Sequence, residues 1–130
     1  MSAPPIPFLD LKAQHRPLKQ ELLEVFEKAV DEAAFVNGGV VRDFEEKFAD
    51  YCQTDFCVGV SSGTEALRLA LIAMGVGPGD AVITVPNTFI ATTEAITQVN
   101  ADIEFVDIDP NTCLMDPAKL EHHLKTRPNG

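Results

Sequence analysis

The chain has 130 residues, enough for one domain with a hydrophobic core and too few for two ordinary domains. It carries 20 acidic against 10 basic residues, a formal net charge of -10. This balance argues against nucleic acid or an anionic membrane surface as a partner, because both attract clustered Lys and Arg. Neither the N-terminus "MSAPPIPFLDL" nor the longest apolar stretch is typical of a signal peptide or a membrane span, so we expect a cytoplasmic protein.

The first part of the chain predicts an extended arm and then a helix. Residues 4–11, "PPIPFLDL", are rich in proline, which favours extended backbone. From Pro17 onward, apolar residues recur at a spacing of three and four, as in an amphipathic helix. The sequence "VNGG" at 36–39 is typical of a helix end because Asn and Gly tolerate the left-handed conformation found there. We therefore assign residues 1–36 to an arm and a helix.

Residues 37–130 are predicted to form a larger domain, and it begins with a second amphipathic helix. The apolar side of this helix carries Val41, Phe44 and Phe48. Three short apolar runs then predict β-strands, at 56–60, 81–85 and 103–108. Helical patterns lie between and after these strands, at about 64–74, 89–99 and 117–124. The alternation predicts an α/β fold with helices covering a mainly parallel sheet, and three strands indicate the front part of a larger sheet.

The stretch "VSSGTEALRLAL" at 60–71 predicts a strand end, a turn of small residues and a helix. The first amides of a helix have no acceptors within it, and the helix dipole makes this end attractive to anions. Gly63 allows close approach of a ligand, while Ser62 and Thr64 add hydroxyl donors. The alternative is that Ser62 or Thr64 only caps the helix.

The stretch "VPNTFIATTEAI" at 85–96 is the second strand-to-helix junction. It places Phe89 in the first helical turn, at the carboxyl edge of the sheet, where open α/β sheets bind their ligands. An aromatic ring at this edge could stack on a flat heteroaromatic ligand. The alternative is that Phe89 is a core residue beneath the loop.

Three further features predict structure rather than chemistry. The segment "GVGPGD" at 75–80 follows a helix and precedes a strand, so its glycines are predicted to form a cap and a turn instead of a phosphate loop. The cysteines are three in number and irregularly spaced, and they predict neither disulfides nor a metal site. His122 and His123 are adjacent on a predicted helix, so they point in different directions and are expected to be solvated.

Five segments, in this order, resemble the DegT/DnrJ/EryC1/StrS family of sugar aminotransferases. They are "IPFLDLKAQ" at 6–14, "GGVVRDFEEKFADYC" at 38–52, "VGVSSGTEALRLAL" at 58–71, "GPGDAVITVPNTFIATTEAI" at 77–96 and "FVDIDPNTCLMDPAKLE" at 105–121. The resemblance implies the type I fold of pyridoxal-phosphate-dependent transferases, with this chain as the N-terminal part of its three-layer α/β/α large domain.

The resemblance also implies the cofactor, pyridoxal 5'-phosphate, and residues that bind it. Gly63 and Thr64, in the turn that begins at Ser62, match the positions that hold the phosphate. Phe89 matches the aromatic residue that stacks on the pyridine ring, which favours the stacking interpretation over the core one.

The family moves an amino group, typically from glutamate, to a keto group of a nucleotide-linked deoxysugar, and its members work as homodimers. The implied partners are therefore a nucleotide-sugar, an amino-acid donor and a second subunit. In the family, the lysine that binds the cofactor covalently and the aspartate that pairs with the pyridine nitrogen lie further along than residue 130. We assign no catalytic residue to this chain and expect the 130 residues alone to be inactive.

Two alternatives remain open at the level of sequence. The chain could be a non-catalytic remnant that binds an anion or a protein partner. It could also come from a pyridoxal-phosphate-dependent sugar dehydratase of the same fold, in which a histidine replaces the cofactor-binding lysine.

Overall fold

A computed structural model describes residues 6–36 and 38–127. Internal packing divides the chain into two compact units, residues 1–59 and 60–130. The first unit thus includes the second amphipathic helix, which we had grouped with the larger domain. The division into residues 1–36 and 37–130 refers to domains of the whole protein, and it stays a prediction.

The described residues of the first unit form three helices: α1 (Leu11–His15), α2 (Lys19–Asp31) and α3 (Gly39–Cys52). Helix α1 was not predicted, and the extended arm therefore ends at Asp10. Its cause is local, since the Asp10 carboxylate accepts a hydrogen bond from the Ala13 amide at 2.9 Å. Helix α2 ends earlier than predicted, because Ala33 adopts the left-handed conformation with φ 49°. Asn37, part of the predicted helix end, lies outside the described residues.

Helix α3 confirms the second predicted helix. Phe44 and Phe48 stack along its apolar side with ring centroids 5.5 Å apart, as the spacing of four residues requires. The helix ends where Gln53 turns left-handed, with φ 56°. The chain that follows is tied back to the helix, because the Gly59 amide donates to Glu45 Oε1 at 2.6 Å.

The second unit is an α/β structure and confirms the predicted fold class. Its elements are α4 (Gly63–Ala73), β1 (Ala81–Thr84), α5 (Ile90–Gln98), β2 (Asp102–Phe105) and α6 (Pro117–Thr126). The strands β1 and β2 pair in parallel, with Ala81 opposite Asp102 and Thr84 opposite Phe105. Helix α5 connects them, which is the βαβ arrangement that parallel pairing demands.

The predicted strand at 56–60 is wrong for the described part of the chain. These residues have no regular secondary structure, and Gly59 donates to a carboxylate of α3 rather than to a neighbouring strand. An extended run becomes a strand only when another strand pairs with its backbone. The sheet of the described residues therefore has two strands instead of three.

The core of the second unit lies where α5 meets the sheet. Ile96, Val99 and Ala101 are buried together, and four partly buried residues pack on them: Leu71, Val76, Val82 and Ile103. Helix α4 packs against α5, and α5 packs against β2. Burial of these apolar side chains is the main stabilising contribution to the unit.

The turn at 75–80 is structural, as predicted. Gly75 has φ 80° and follows the end of α4. The Val76 amide donates to the Leu71 carbonyl at 3.0 Å, which satisfies a carbonyl at the end of the helix.

Helix α6 is attached to β2 through Glu104. His123 Nε2 lies 2.6 Å from Glu104 Oε2, and Arg127 Nη2 lies 2.9 Å from Glu104 Oε1. The expectation that His123 is solvated is therefore wrong, because its hydrogen-bond partner comes from a strand far away in sequence. His122 is exposed.

Three features of the described residues concern membrane spans, disulfides and metal sites. No helix among residues 6–36 and 38–127 is long and apolar enough to cross a membrane. Cys52, Cys57 and Cys113 are free thiols. In the same part of the chain, no group of three or more His, Cys, Asp or Glu side chains could hold a metal ion.

Candidate functional site

Ser62 is the residue that caps α4. Its backbone is extended, and its Oγ accepts a hydrogen bond from the Glu65 amide at 3.1 Å. The capping interpretation of this turn is thus confirmed for Ser62. Thr64 lies inside the first turn, and its side chain is half-buried.

Capping by Ser62 leaves other amides of the turn free. Those of Gly63 and Thr64 have no acceptor within a helix, and no other described residue accepts from them. A Cβ built on Gly63 would meet no atom within 4 Å, so the space beside this residue is open. The turn can therefore be both a capped helix end and a binding place for an anion.

The carboxylate of Glu65 lies beside this turn and is paired with Arg68. Arg68 Nε donates to Glu65 Oε2 at 2.9 Å, and Arg68 Nη2 donates to Glu65 Oε1. This hydrogen bond is the main cause that lowers the pKa of Glu65, and it raises the pKa of Arg68. We had not assigned this pair from the sequence, although its spacing of three residues on a helix was the available signal.

Phe89 is the N-cap residue of α5, one position before the predicted first turn. Its side chain is 77% exposed and forms no capping hydrogen bond. The core interpretation is therefore wrong. The ring faces a groove of about 260 Å³, lined also by Pro86, Thr88, Ile90, Thr93 and Phe105.

Polar contacts hold the turn before Phe89. The hydroxyls of Thr88 and Thr92 are 2.9 Å apart and share a hydrogen bond across the first turn of α5. Asn87 Nδ2 lies 3.5 Å from the Cys113 carbonyl oxygen. These contacts join residues on both sides of the exposed ring, and they link the turn to the segment around Cys113.

The structure thus places Ser62, Gly63, Thr64 and Phe89 at the N-termini of two helices that pack together in one unit. A second groove, of about 500 Å³, lies in the first unit and contains none of these residues. Its lining consists of Lys12, His15, Arg16, Lys19, Leu22 and Leu23.

Both lysines of the second unit are held in ion pairs. Lys119 Nζ lies 3.1 Å from Asp107 Oδ2 and donates to the Ile108 carbonyl at 2.9 Å. The pKa of Asp107 is lowered mainly by the hydrogen bond from the Ile108 amide and, to a smaller extent, by Lys119. Lys125 pairs with Glu121 one turn earlier on α6.

Comparison with known protein families gives a match over most of the chain. Residues 17–129 match the model of the DegT/DnrJ/EryC1/StrS aminotransferase family. The chain belongs to this family. The resemblance seen in the sequence is thereby confirmed.

Curated relatives of this family member include enzymes named for nucleotide-sugars. The chain is 38% identical over 122 residues to a dTDP-3-amino-3,6-dideoxy-alpha-D-galactopyranose transaminase of Aneurinibacillus thermoaerophilus, covering 94% of this chain and 34% of the relative. It is 42% identical over 122 residues to a UDP-N-acetyl-3-dehydro-alpha-D-glucosamine 3-aminotransferase of Acidithiobacillus ferrooxidans, with coverages of 94% and 33%. The chain thus spans about a third of the length of the curated relatives it matches.

Solved structures of related proteins share the fold. DesV of S. venezuelae, crystallised in complex with a ketimine intermediate, matches with a TM-score of 0.87 and 35% identity, covering 98% of this chain and 38% of that one. NtdA of Bacillus subtilis, with bound cofactor PMP, matches with a TM-score of 0.87 and 29% identity, with coverages of 94% and 28%. The fold of the described residues is therefore a part of the aminotransferase fold of this family.

Proposed function

We propose that this chain forms the phosphate- and ring-binding part of a pyridoxal-phosphate-dependent aminotransferase that acts on a keto group of a nucleotide-linked sugar. Family membership over residues 17–129 carries this proposal. The open helix N-terminus at Gly63 and Thr64 supports it. A solved relative holds the cofactor PMP, which carries a phosphate, and such a group needs a binding site of this kind.

The residues present fit such a cofactor. The free amides of Gly63 and Thr64 and the Thr64 hydroxyl offer donors to a phosphate, at the positive end of the α4 dipole. The exposed ring of Phe89 offers a flat apolar surface for an aromatic ring. Ser62 keeps the turn in shape by capping α4.

The roles of these residues are binding and orientation. When bound, the cofactor supplies an electron sink for breaking a bond at the substrate carbon that carries nitrogen. The α4 turn anchors one end of the cofactor, and Phe89 fixes the plane of its ring. Fixing this plane matters because it determines which bond of the substrate is aligned for cleavage.

The names of the relatives support a proposal for the substrate class. Two of them are named for amino groups at position 3 of a dTDP- or UDP-linked sugar. We propose a keto group at that carbon as the acceptor and glutamate as the amino donor. A cytoplasmic homodimer is the proposed setting of the whole enzyme.

These 130 residues alone are proposed to transfer no amino group. In the second unit, Lys119 and Lys125 are both paired with carboxylates on or beside α6, where no covalent cofactor is expected. Borohydride reduction of a mixture with pyridoxal phosphate, followed by peptide mass spectrometry, should label no single lysine preferentially. Stoichiometric labelling of one lysine would overturn this part of the proposal.

Binding of pyridoxamine 5'-phosphate to the chain tests the proposed cofactor site directly. This probe lacks an aldehyde and so forms no covalent adduct with lysine. Thr64→Val removes a hydroxyl that we assign to the phosphate, and Thr126→Val makes the same change on α6. Weaker binding in the first variant alone supports the proposal, whereas a parent chain that binds pyridoxamine and its phosphate equally poorly overturns it.

A further inference from the structure

The first turn of α4 contains half of a capping box. In a complete box, the N-cap Ser accepts from the amide three residues later, and the Glu at that position accepts from the N-cap amide. Ser62 and Glu65 occupy these two positions, and the first hydrogen bond is present at 3.1 Å. The second is absent from the described structure, in which no residue accepts from the Ser62 amide.

The Glu65 carboxylate is bound by Arg68 instead. Arg68 engages both carboxylate oxygens, with 2.9 Å between Nε and Oε2, and neither oxygen accepts from the Ser62 amide. Both side chains are 31% exposed, and such a two-pronged pair is geometrically well defined. The lowered pKa of Glu65 agrees with a carboxylate that stays charged and paired near neutral pH.

We propose that Arg68 is a positioning residue for the phosphate site, because it holds the Glu65 carboxylate away from the first amides of α4. The inference rests on the proposed function, which makes this turn the phosphate site. With Arg68 in place, the Ser62 amide stays available to the phosphate, and the negative charge of Glu65 is compensated. Without Arg68, Glu65 is free to close the box, which occupies that amide and places an anion beside the phosphate.

Four variants separate this effect from a general loss of charge or of fold. Arg68→Met removes the guanidinium and keeps the apolar stem, and Glu65→Ala removes both the charge that Arg68 is proposed to hold and the acceptor that could close the box. The double variant R68M/E65A lacks both charges and cannot close the box. Lys125→Met is the matched control, since it breaks an ion pair within another helix of the same unit.

The measurement is the dissociation constant of pyridoxamine 5'-phosphate, followed by its own fluorescence, which is convenient because the chain contains no Trp. Arg68→Met should weaken binding about three- to tenfold, the size expected for an uncompensated charge near a phosphate. The double variant should recover to within about twofold of the parent, since the two changes are coupled. Glu65→Ala should bind at least as tightly as the parent, because it leaves the Ser62 amide open and the Arg68 charge uncompensated. Lys125→Met should bind as the parent does, and pyridoxamine without phosphate should not distinguish the variants.

The outcomes test two separate claims, the positioning role of Arg68 and the proposed function. Parent-like binding by Arg68→Met, or a loss that the double variant does not recover, overturns the positioning role. Glu65→Ala keeps the test decisive if Arg68→Met unfolds, because weakened binding by this variant also overturns it. A parent chain that binds no pyridoxamine 5'-phosphate overturns the proposed function itself and, with it, this inference.

Discussion

Helices α4 and α5 pack against each other, yet they begin in opposite ways. Helix α4 starts with Ser62, whose hydroxyl caps it, whereas α5 starts with Phe89, which supplies no capping hydrogen bond. A residue without a capping oxygen costs about 1 kcal/mol at this position relative to Ser. Local stability therefore explains Ser62 fully but not a large, exposed ring at the start of α5. Departures from local preference are expected at functional positions, so Phe89 is the stronger functional signal of the two.

Phe89→Ser tests the difference between the two helix starts most directly. The new side chain can cap α5, so the free energy of unfolding should rise by about 1 kcal/mol. Loss of the stacking surface should weaken binding of pyridoxamine 5'-phosphate about tenfold or more. Urea unfolding and fluorescence titration measure the two effects.

The control for this variant is Phe56→Ser, since Phe56 is also highly exposed but lies outside the proposed site. It should leave binding unchanged. If Phe89→Ser instead lowers stability, the ring has a packing role, and the contrast between the two helix starts fails.

Gly63→Ala tests whether a ligand uses the open space at the start of α4. The added Cβ meets no atom of the chain, and Ala favours a helix by up to about 1 kcal/mol over Gly, so stability should hold or rise. A clash with a bound phosphate worth about 1 kcal/mol would weaken binding about fivefold. Gly39→Ala is the matched control, because Gly39 also begins a helix and has open space beside it. Equal binding by both variants would show that no ligand approaches Gly63.

Ser62→Ala tests the same difference at the start of α4. Loss of the cap should lower the free energy of unfolding by about 1 kcal/mol, and the frayed turn should also bind phosphate less well. Asp116 caps α6 through the Ala118 amide at 2.9 Å, so Asp116→Ala should cost similar stability without a change in binding. Calorimetric unfolding of the two variants, with and without pyridoxamine 5'-phosphate, separates the effects. A similar loss of ligand stabilisation in both would assign it to general destabilisation.

The smallest effect concerns pH and Glu65. Since the pKa of this carboxyl is lowered in the folded chain, its pairing stabilises the fold above the ordinary Glu range. That contribution is lost as the pH falls through the lowered pKa. Glu65→Gln should therefore show a shallower loss of stability on acidification, by a small amount because the pair is partly exposed. Identical acid limbs in the two unfolding profiles would contradict this expectation.

Local patterns predicted the helices well. Helices α4, α5 and α6 begin and end within about two residues of the positions expected from apolar spacing and end signals, because both signals act within a few residues. The short helix α1 was missed although Asp10 was a recognisable cap. The turn at 75–80 was predicted correctly from the order of its neighbouring elements alone.

The errors concern contacts between residues far apart in sequence. The run at 56–60 has the composition of a strand, but pairing depends on a neighbour that the described residues do not provide. His123 was expected to be solvated because its partner Glu104 lies on β2, in another element. Likewise, the exposure of Phe89 could not be deduced from its position in the chain. The roles of Ser62, Gly63, Thr64 and Phe89 toward a cofactor remain predictions.

The unpaired run at 56–60 also affects how readily copies of the chain associate in solution. Phe56 and Val58 are exposed in a run that pairs with no strand of the described chain, and such unpaired apolar runs favour association with another copy. The net charge of -10 keeps copies of the chain apart in dilute buffer. Electrolyte shortens the reach of that repulsion to about 10 Å at 0.1 M. Low salt is therefore the storage condition under which the exposed Phe56 and Val58 meet another copy least often.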